Sequence, residues 1–428
     1  MERRTLAQPG YFERIIDKHI DECLRSFGAV LIEGPKWCGK TWTALNHCYS
    51  SAYLGHTQAA DQASDYNLAM TDLRLVLSRD KPELLDEWQD VPGVWDSVRH
   101  ECDVQNQPGL YILTGSATPP LLDTIHHSGA GRICRLNMST MSLYETGDSE
   151  GAVSLANLFH DNVRPQELAE KVDLQRLAEL VIRGGWPALI SRKVVNSSLS
   201  EGYLEDVLAH DITAIDGVKR DTEKMRLLLR SLARNESTIV SNKTLIRDLD
   251  ENGQINKNTV AEYLDVLDRL HLLANQPAYR ENVRSPERVG VSVKRHFVDP
   301  SLAVAVLGLD VEGLMADLKT FGFLFEALCE HDLKIYAEAM GGRLLHYRNN
   351  VSGLEVDAVV ELKNGDIGAF EIKLGPDKID EGVENLRRFA DELTVKPKFA
   401  AVICGLYPAV VRRPEDGVYI LPITALRG

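Results

Sequence analysis

Over residues 1–150, short apolar runs alternate with polar segments that are compatible with helices. The runs cover residues 28–33, 83–85, 110–113 and 133–136, and several carry β-branched side chains. Runs of this length between polar segments predict buried strands. Because strands that alternate with helices form parallel sheets, the N-terminal part is predicted to have an α/β fold.

Beyond residue 150 the apolar residues recur at helical spacing. Residues 163–215 are predicted to be helical, and residues 222–273 to form three helices with a connector at 252–254. The motif Arg183-Gly184-Gly185-Trp186-Pro187 is expected to stop a helix, because glycine and proline do not continue one. Strands are therefore expected to be absent from this middle part.

Strands are predicted again after residue 291. A long helix over 312–331 is expected to precede five strands, at 333–338, 343–347, 355–361, 367–374 and 398–404. This order predicts a second α/β domain at the C-terminal end.

Composition and charge exclude several classes of protein. The 428 residues are 44% hydrophobic and carry a net charge of −15, so the chain is not a general nucleic-acid coat, and any DNA contact should be local. No apolar run is long enough to span a membrane, and the polar N-terminus predicts no secretory signal. The seven scattered cysteines argue against a disulfide framework and favour a reducing, cytoplasmic compartment.

The clearest motif is a phosphate-binding loop directly after the first predicted strand. Its sequence fits G-x-x-x-x-G-K-[ST], in which backbone N–H groups surround the phosphates of a nucleotide. The Lys40 ammonium would reach the β- and γ-phosphates, and the Thr41 hydroxyl would bind Mg²⁺. The sequence thus predicts an ATP–Mg²⁺ site made by Gly34, Pro35, Lys36, Trp37, Cys38, Gly39, Lys40, Thr41 and Trp42.

Polar residues at the ends of two later strands complete this candidate site. Asp86 would hold the Mg²⁺ shell, and the adjacent Glu87 would activate the attacking water. Thr114 or Ser116, after the next strand, would contact the γ-phosphate or orient water. Because Cys38 lies in a ring of N–H groups near Lys40, we also hypothesise that modifying its thiol blocks nucleotide binding.

Together these motifs resemble a bacterial and archaeal group of AAA-superfamily ATPases in which a domain of unknown function follows the ATPase. The resemblance rests on the P-loop, Asp86-Glu87, Thr114-Gly115-Ser116-Ala117, Gly131-Arg132, the Arg183–Pro187 motif, and Tyr203-Leu204 to Asp211-Ile212. It implies strand order 5-1-4-3-2, a helical lid, a winged helix and a nuclease-like end domain. It also implies that Arg132 is an arginine finger or sensor.

The middle part contains a pattern similar to helix-turn-helix modules. A helix at 245–249 precedes a glycine-containing turn and a second helix at 256–264, with Asn256 as its N-cap. Lys257 and Asn258 would supply base or phosphate contacts if the second helix enters DNA. Nearby acidic residues oppose that role, so a protein-packing module remains the alternative.

The end domain carries an acidic pattern that resembles the PD-(D/E)xK nuclease fold. Asp357 lies in one predicted strand, and Glu371 and Lys373 share one face of the next. Two carboxylates on neighbouring strands can bind Mg²⁺, a lysine can position water, and Glu326 could add a further carboxylate. A stabilised acidic and basic face without metal is the alternative.

These observations predict four domains. They are an AAA-type ATPase core (1–150), a helical lid (151–215), a winged helix (216–290) and a nuclease-like domain (291–428). The expected function is ATP hydrolysis, with nucleotide state controlling the C-terminal half. A nucleotide-gated scaffold for a protein partner and an ATP-regulated DNA nuclease are the alternatives, and a homo-oligomer is compatible with either.

Overall fold

The computed structural model describes residues 5–55, 63–91, 93–117, 129–249, 257–281 and 292–428. The chain divides into two compact units. The first comprises residues 1–140, 210–220 and 266–272. The second comprises residues 141–209, 221–265 and 273–428.

A five-stranded parallel sheet forms the centre of the first unit. Its strands are β1 (Ala29–Glu33), β2 (Ser50–Tyr53), β3 (Glu83–Asp86), β4 (Tyr111–Gly115) and β5 (Ile133–Asn137). Their order is β5-β1-β4-β3-β2, which confirms the predicted order. Because all five strands run in one direction, their carboxyl ends lie at one edge, where the P-loop follows β1.

The central strands β1 and β4 are buried on both faces of this sheet, which explains why they are largely apolar. Val30 and Ile32 point into a core with residues of the P-loop helix, whereas Ala29 and Leu31 point into a second core on the other face. The helices are α1 (Asp17–Ser26), α2 (Lys40–His47), α3 (Ala63–Thr71), α4 (Leu73–Leu77) and α5 (Gly93–Gln105). The first unit is thus a three-layer α/β fold.

The helices of the second unit occupy most of residues 143–339. They are α6 (Leu143–Thr146), α7 (Leu155–Phe159), α8 (Leu174–Arg183), α9 (Pro187–Arg192), α10 (Ser198–Asp206), α11 (Thr222–Arg234), α12 (Asn242–Leu249), α13 (Lys257–Arg269), α14 (Pro300–Leu307), α15 (Val311–Ala316) and α16 (Leu318–Ala339). A π-helical turn, Val207–Asp211, follows α10, and the last residues of α13 belong to the first unit. The three helices predicted over 222–273 are present.

The glycine-proline motif lies where the sequence places a helix end. Helix α8 ends at Arg183, and Pro187 begins α9. The Gly185 N–H donates to the Asp299 carboxylate over 2.9 Å, and the Trp186 indole N–H donates to the Ser301 hydroxyl over 2.8 Å. The motif therefore ends one helix and also anchors the start of α14.

A mixed sheet of seven strands forms the C-terminal part of the second unit. In chain order the strands of this unit are β6 (Val153–Ser154), β7 (Gln166–Glu167), β8 (Thr238–Ile239), β9 (Lys294–Arg295), β10 (Arg343–Arg348), β11 (Glu355–Glu361), β12 (Ile367–Lys373), β13 (Phe399–Cys404), β14 (Ala409–Arg412), β15 (Tyr419–Leu421) and β16 (Leu426–Arg427). The large sheet has the order β10-β11-β12-β13-β15-β14-β7, and β6–β16 and β8–β9 form small pairs. Helix α17 (Ile379–Glu392) packs on one face.

Two predictions about these elements are wrong. Residues 333–338, predicted as a strand, belong to the 22-residue helix α16. Leu324, Leu328 and Tyr336 recur at helical spacing and are all buried, so their tertiary packing overrides the local strand pattern. The middle part also contains the short strands β6, β7 and β8.

The 252–254 connector and Asn256 lie outside the described residues. The sequence argues against a disulfide framework; the structure joins one pair, Cys23 and Cys134, and the other five cysteines are free and buried. Among the described residues, no helix is both long and apolar enough to cross a membrane.

A buried histidine links the P-loop helix to α1. The His47 ring nitrogens lie 2.9 Å from carboxylate oxygens of Asp17 and Asp21. Burial by itself lowers the pKa of His47, but the hydrogen bonds and charges of the two aspartates outweigh it, so this pKa lies above its ordinary value of 6.5. The protonated histidine thus stabilises the contact between α1 and α2.

The His47 contact predicts a pH-dependent stability of the first unit. A raised histidine pKa contributes stability below pH 6.5 that is lost as pH rises through the folded-state pKa. We expect the free energy of unfolding to fall over that range, and His47→Gln to flatten the fall. Urea unfolding across pH measures it, with the exposed His100→Gln as control. An equally steep fall in both variants would refute the assignment.

Candidate nucleotide site and carboxylate cluster

The P-loop connects β1 to α2 and depends on its two glycines. A Cβ at Gly34 would lie 2.1 Å from the Met138 carbonyl oxygen, so this position admits no side chain. Gly39, which precedes α2, has φ of +104°, a conformation that L side chains rarely adopt. The loop therefore has the backbone shape that directs N–H groups towards an anion at a helix N-terminus.

Lys40 is buried at the start of α2. Its ammonium donates to the carbonyl oxygens of Gly34, over 2.9 Å, and Pro35, over 2.8 Å. A buried ammonium held by neutral carbonyls is incompletely compensated. Phosphate oxygens would provide the negative charge that this ammonium lacks.

Asp86 brings together three elements at the carboxyl edge of the sheet. Its Oδ1 accepts hydrogen bonds from the Thr41 hydroxyl, over 2.9 Å, and from the Thr114 hydroxyl, over 2.5 Å. Burial raises the pKa of Asp86, and the charge of Glu87 adds to the rise, although the two hydroxyls oppose it. The structure thus brings Asp86 to Thr41, as the sequence predicts for a metal shell.

Glu87 is held beside this group in an uncommon backbone conformation. Its φ is +53°, in the left-handed region, and a carboxylate oxygen accepts from the Ser116 hydroxyl over 2.8 Å and from the Gln89 amide over 2.5 Å. Such conformations cost energy and cluster at functional sites. Ser116 orients Glu87, and its role in orienting water or contacting the γ-phosphate stays a prediction.

Arg132 lies apart from these residues. It immediately precedes β5, at the amino edge of the parallel sheet, whereas the P-loop follows the carboxyl end of β1. Its guanidinium donates to Asp103 over 2.8 Å. The structure therefore does not bring Arg132 to the P-loop of its own chain, and an arginine-finger role would require a neighbouring copy.

The remaining loop residues differ in exposure. Trp37 and Trp42 are about half exposed beside the P-loop, with 52% and 47% of each side chain accessible. Cys38 is fully buried, with its sulfur 3.7 Å from the Met138 carbonyl oxygen. This burial does not favour the accessible, reactive thiol that our Cys38 hypothesis requires.

Two residues that contact the loop were missed by the sequence analysis. The buried Arg14 guanidinium donates to the carbonyl of Cys38, over 2.9 Å, and to Ser139 and Thr140. Lys36 forms an ion pair of 2.5 Å with Asp211, at the end of the π-helical turn. Asp211 belongs to the motif Tyr203-Leu204 to Asp211-Ile212, but only the fold shows that it contacts the loop. Nothing in the sequence identifies Arg14 as a residue that contacts the loop.

The predicted acidic residues of the second unit also come together. Glu371 and Lys373 lie on β12, and their charged groups are 2.7 Å apart. Asp357, on the adjacent β11, lies 3.9 Å from the Lys373 ammonium and accepts from the Ile372 N–H over 2.8 Å. Burial, followed by the charge of Asp357, raises the pKa of Glu371 to about 8.

Glu326, on α16, contacts a lysine that the sequence analysis did not consider. The buried Lys294 ammonium on β9 donates to Glu326 and, over 2.5 Å, to Glu330. Burial and the charge of Asp357 raise the pKa of Glu326 to about 7, and burial raises that of Glu330 as well. We call Glu326, Glu330, Asp357, Glu371, Lys294 and Lys373 the end-domain cluster.

The two sites differ in their fitness for a metal. Asp86 and Thr41 suit Mg²⁺, which binds to one or two protein oxygens and completes its shell with nucleotide phosphates and water. In the end-domain cluster, ammonium groups already contact the carboxylates. Within the described ranges, no group of three or more His, Cys, Asp or Glu side chains is arranged to hold a metal ion.

Comparison with protein families matches three parts of the chain. Residues 26–147 match the model of an AAA domain, residues 174–313 a domain of unknown function (DUF8612), and residues 321–426 another (DUF4143). With the parallel sheet, the first match identifies an AAA-family P-loop domain. The matches also confirm that domains of unknown function follow it.

Individual relatives are distant. An uncharacterized protein of Mycobacterium tuberculosis and another of Mycobacterium bovis are each 24% identical over 347 residues, covering 80% of this chain and 70% of theirs. Among solved structures, a Walker-type ATPase of Pyrococcus abyssi is 13% identical with a TM-score of 0.42, covering 72% of this chain and 99% of its own. RuvB of Thermotoga maritima is 15% identical with a TM-score of 0.27, covering 65% and 94%.

The Lys36–Asp211 pair predicts that Asp211 lowers the affinity of the P-loop for ATP. Because Asp211 binds a P-loop lysine and places a negative charge near the phosphates, we expect Asp211→Asn to strengthen ATP binding by about 1 kcal/mol, or about fivefold. Calorimetric titration with a non-hydrolysable ATP analogue measures the change.

Asp216→Asn is the matched control for Asp211→Asn. It removes a carboxylate from the same segment, but one that pairs with Arg220 over 2.6 Å. We expect its ATP affinity to equal that of the wild type. Weaker binding by Asp211→Asn would show instead that Asp211 supports the loop.

Proposed function

We propose that the chain is a Mg²⁺-dependent ATPase whose nucleotide state controls its C-terminal half. The observation that carries this proposal is the joint position of Thr41, Asp86 and Glu87 beside the P-loop. The AAA-family match over residues 26–147 supports nucleotide binding. ATP is the substrate, and Mg²⁺ the cofactor.

The residues have separate roles in the proposed reaction. The Lys40 ammonium leaves its carbonyl partners and binds the β- and γ-phosphates. Thr41 and Asp86 would hold Mg²⁺, which would supply positive charge to neutralise the phosphates. The Glu87 carboxylate accepts a proton from the attacking water. Ser116 and Gln89 keep that carboxylate in place, so its orientation does not have to be established during the reaction.

Asp211 supplies a route for control. The Lys36–Asp211 pair lies within the first unit, but Ala209, two residues before Asp211, belongs to the second. Phosphates that compete for Lys36 weaken the pair and release the π-helical turn. A ligand shifts a conformational equilibrium only through such differential contacts.

A scaffold for a protein partner is the second candidate, favoured by the net charge of −15. In that case the nucleotide acts as a slow switch and DNA has no effect. A DNA-coupled ATPase instead requires local contacts, for which the proposed winged helix over 216–290 is the candidate.

The first test is ATP turnover by the full chain. We expect Mg²⁺-dependent phosphate release that Glu87→Gln lowers about 10²-fold or more while ATP binding is retained, because a general base contributes that much. Glu22→Gln, which alters an exposed carboxylate on α1, is the control and should match the wild type. Binding without turnover in the wild type would refute the ATPase assignment.

The same assay with and without duplex DNA separates the two candidates. Turnover that rises with DNA supports a DNA-coupled ATPase. Turnover that is indifferent to DNA favours the scaffold. Mg²⁺-dependent cleavage of DNA that is lost in Asp357→Ala would support the nuclease alternative.

A further inference from the structure

Lys294 is fixed in the second unit by its backbone. It pairs with Ile239 in the β8–β9 ladder, and on its other side it exchanges two main-chain hydrogen bonds, of 2.9 and 3.0 Å, with Gln276. The Gln276 amide in turn donates to the carbonyls of Leu345 and Asp357. The Lys294 side chain thus leaves a backbone that is held on both sides.

The Lys294 ammonium lies among carboxylates rather than in solvent. It donates to Glu326 and Glu330 and lies 3.4 Å from the Asp357 carbonyl oxygen. The other Glu330 oxygen accepts from the Ser237 hydroxyl over 3.0 Å. Both oxygens of Glu330 are therefore occupied by donors of this chain.

A second ammonium compensates the other two acids. Lys373 binds Glu371 and faces Asp357, and the same Glu371 oxygen also accepts from the Asn385 amide over 3.2 Å. Four carboxylates therefore share two ammonium groups. A metal ligand must be a deprotonated oxygen, and one oxygen each of Glu326, Asp357 and Glu371, as well as both oxygens of Glu330, already accepts a hydrogen bond from this chain.

An ion can reach the end-domain cluster, so inaccessibility is not the reason that the cluster lacks a metal-binding arrangement. A cavity of about 320 Å³ is lined by Lys294, Glu326 and Asp357, so an ion can approach them. To bind between these carboxylates it would have to displace an ammonium whose backbone cannot move away without breaking the Ile239 and Gln276 pairings. Leaving a buried carboxylate and a buried ammonium separated is costly.

We propose that the Lys294 ammonium occupies the cation position of the end-domain cluster, so that this cluster takes no divalent metal. The residues consequently do not fit the Mg²⁺ that a PD-(D/E)xK resemblance implies. The domain then does not act by metal-dependent cleavage at this cluster. This inference is independent of the ATPase reaction in the first unit.

Mn²⁺ binding to the full chain tests the proposal. Free Mn²⁺ is followed by electron paramagnetic resonance, without nucleotide and in an Asp86→Asn background that weakens the P-loop metal site. We expect no binding in this parent at millimolar Mn²⁺. Lys294→Met should create a site with a Kd about ten- to a hundredfold below that concentration, the scale on which groups around a metal change its affinity.

Matched variants identify the site. Lys294→Arg keeps the positive charge and should bind no Mn²⁺, and Lys334→Met, which removes a partly exposed lysine of α16, should behave like the parent. Adding Asp357→Asn to Lys294→Met should abolish the new site. Mn²⁺ binding by the parent that Asp357→Asn removes overturns the proposal, as does a folded Lys294→Met variant that binds nothing.

Chemical labelling keeps the proposal testable if Lys294→Met does not fold. In the wild-type chain, reductive methylation followed by mass spectrometry reports the accessibility of each lysine amine. We expect Lys294 to stay protected whether or not millimolar Mg²⁺ or Mn²⁺ is present, while Lys334 is labelled in both. Metal-dependent labelling of Lys294 would show that a metal displaces the ammonium and would overturn the proposal.

Discussion

The first unit depends on one partly buried carboxylate. Asp86 ends β3, and its Oδ1 accepts from Thr41 at the start of α2 and from Thr114 on β4. The parallel register places Asp86 opposite Thr114, so the sheet itself sets this contact. Because burial raises the pKa of Asp86 while its hydrogen-bond partners are neutral hydroxyls, the fold maintains a carboxylate that favours a nearby cation. The position of the P-loop helix and the chemistry expected of the site therefore have the same cause.

Much of this unit was predictable because its signals are local. The P-loop is contiguous, and the strands around it are short, apolar and separated by polar segments, so their order followed once the family resemblance was recognised. The partners of the loop were not predictable. Arg14 reaches Cys38, Ser139 and Thr140 from a segment without a recognisable motif, and Asp211 reaches Lys36 across the chain. Such contacts are set by tertiary packing, which no spacing rule describes.

In the second unit, contacts that are set by tertiary packing were also not predictable from the sequence. Asp357, Glu371 and Lys373 were predicted to converge because alternation along β11 and β12 is a local rule. Lys294 was not predicted as part of this cluster, because it lies on a two-residue strand. Its position beside Glu326 depends on the β8–β9 pairing. Helix α16 was mispredicted beyond residue 332 for a related reason, since Tyr336 is buried by packing that the local pattern does not reveal.

The two sites differ in how the negative charge of their carboxylates is compensated. A buried carboxylate must be protonated, paired with a cation of the chain, or left for a cation from outside. Around Asp86 the nearby ammonium, Lys40, donates to backbone carbonyls, so the negative charge remains available to a metal. In the end-domain cluster, Lys294 and Lys373 donate directly to carboxylates, so cations of the chain already occupy positions between them. The hydrogen-bond partners of each lysine, rather than the number of acidic residues, thus distinguish a carboxylate without a lysine hydrogen bond from carboxylates that are paired within the chain.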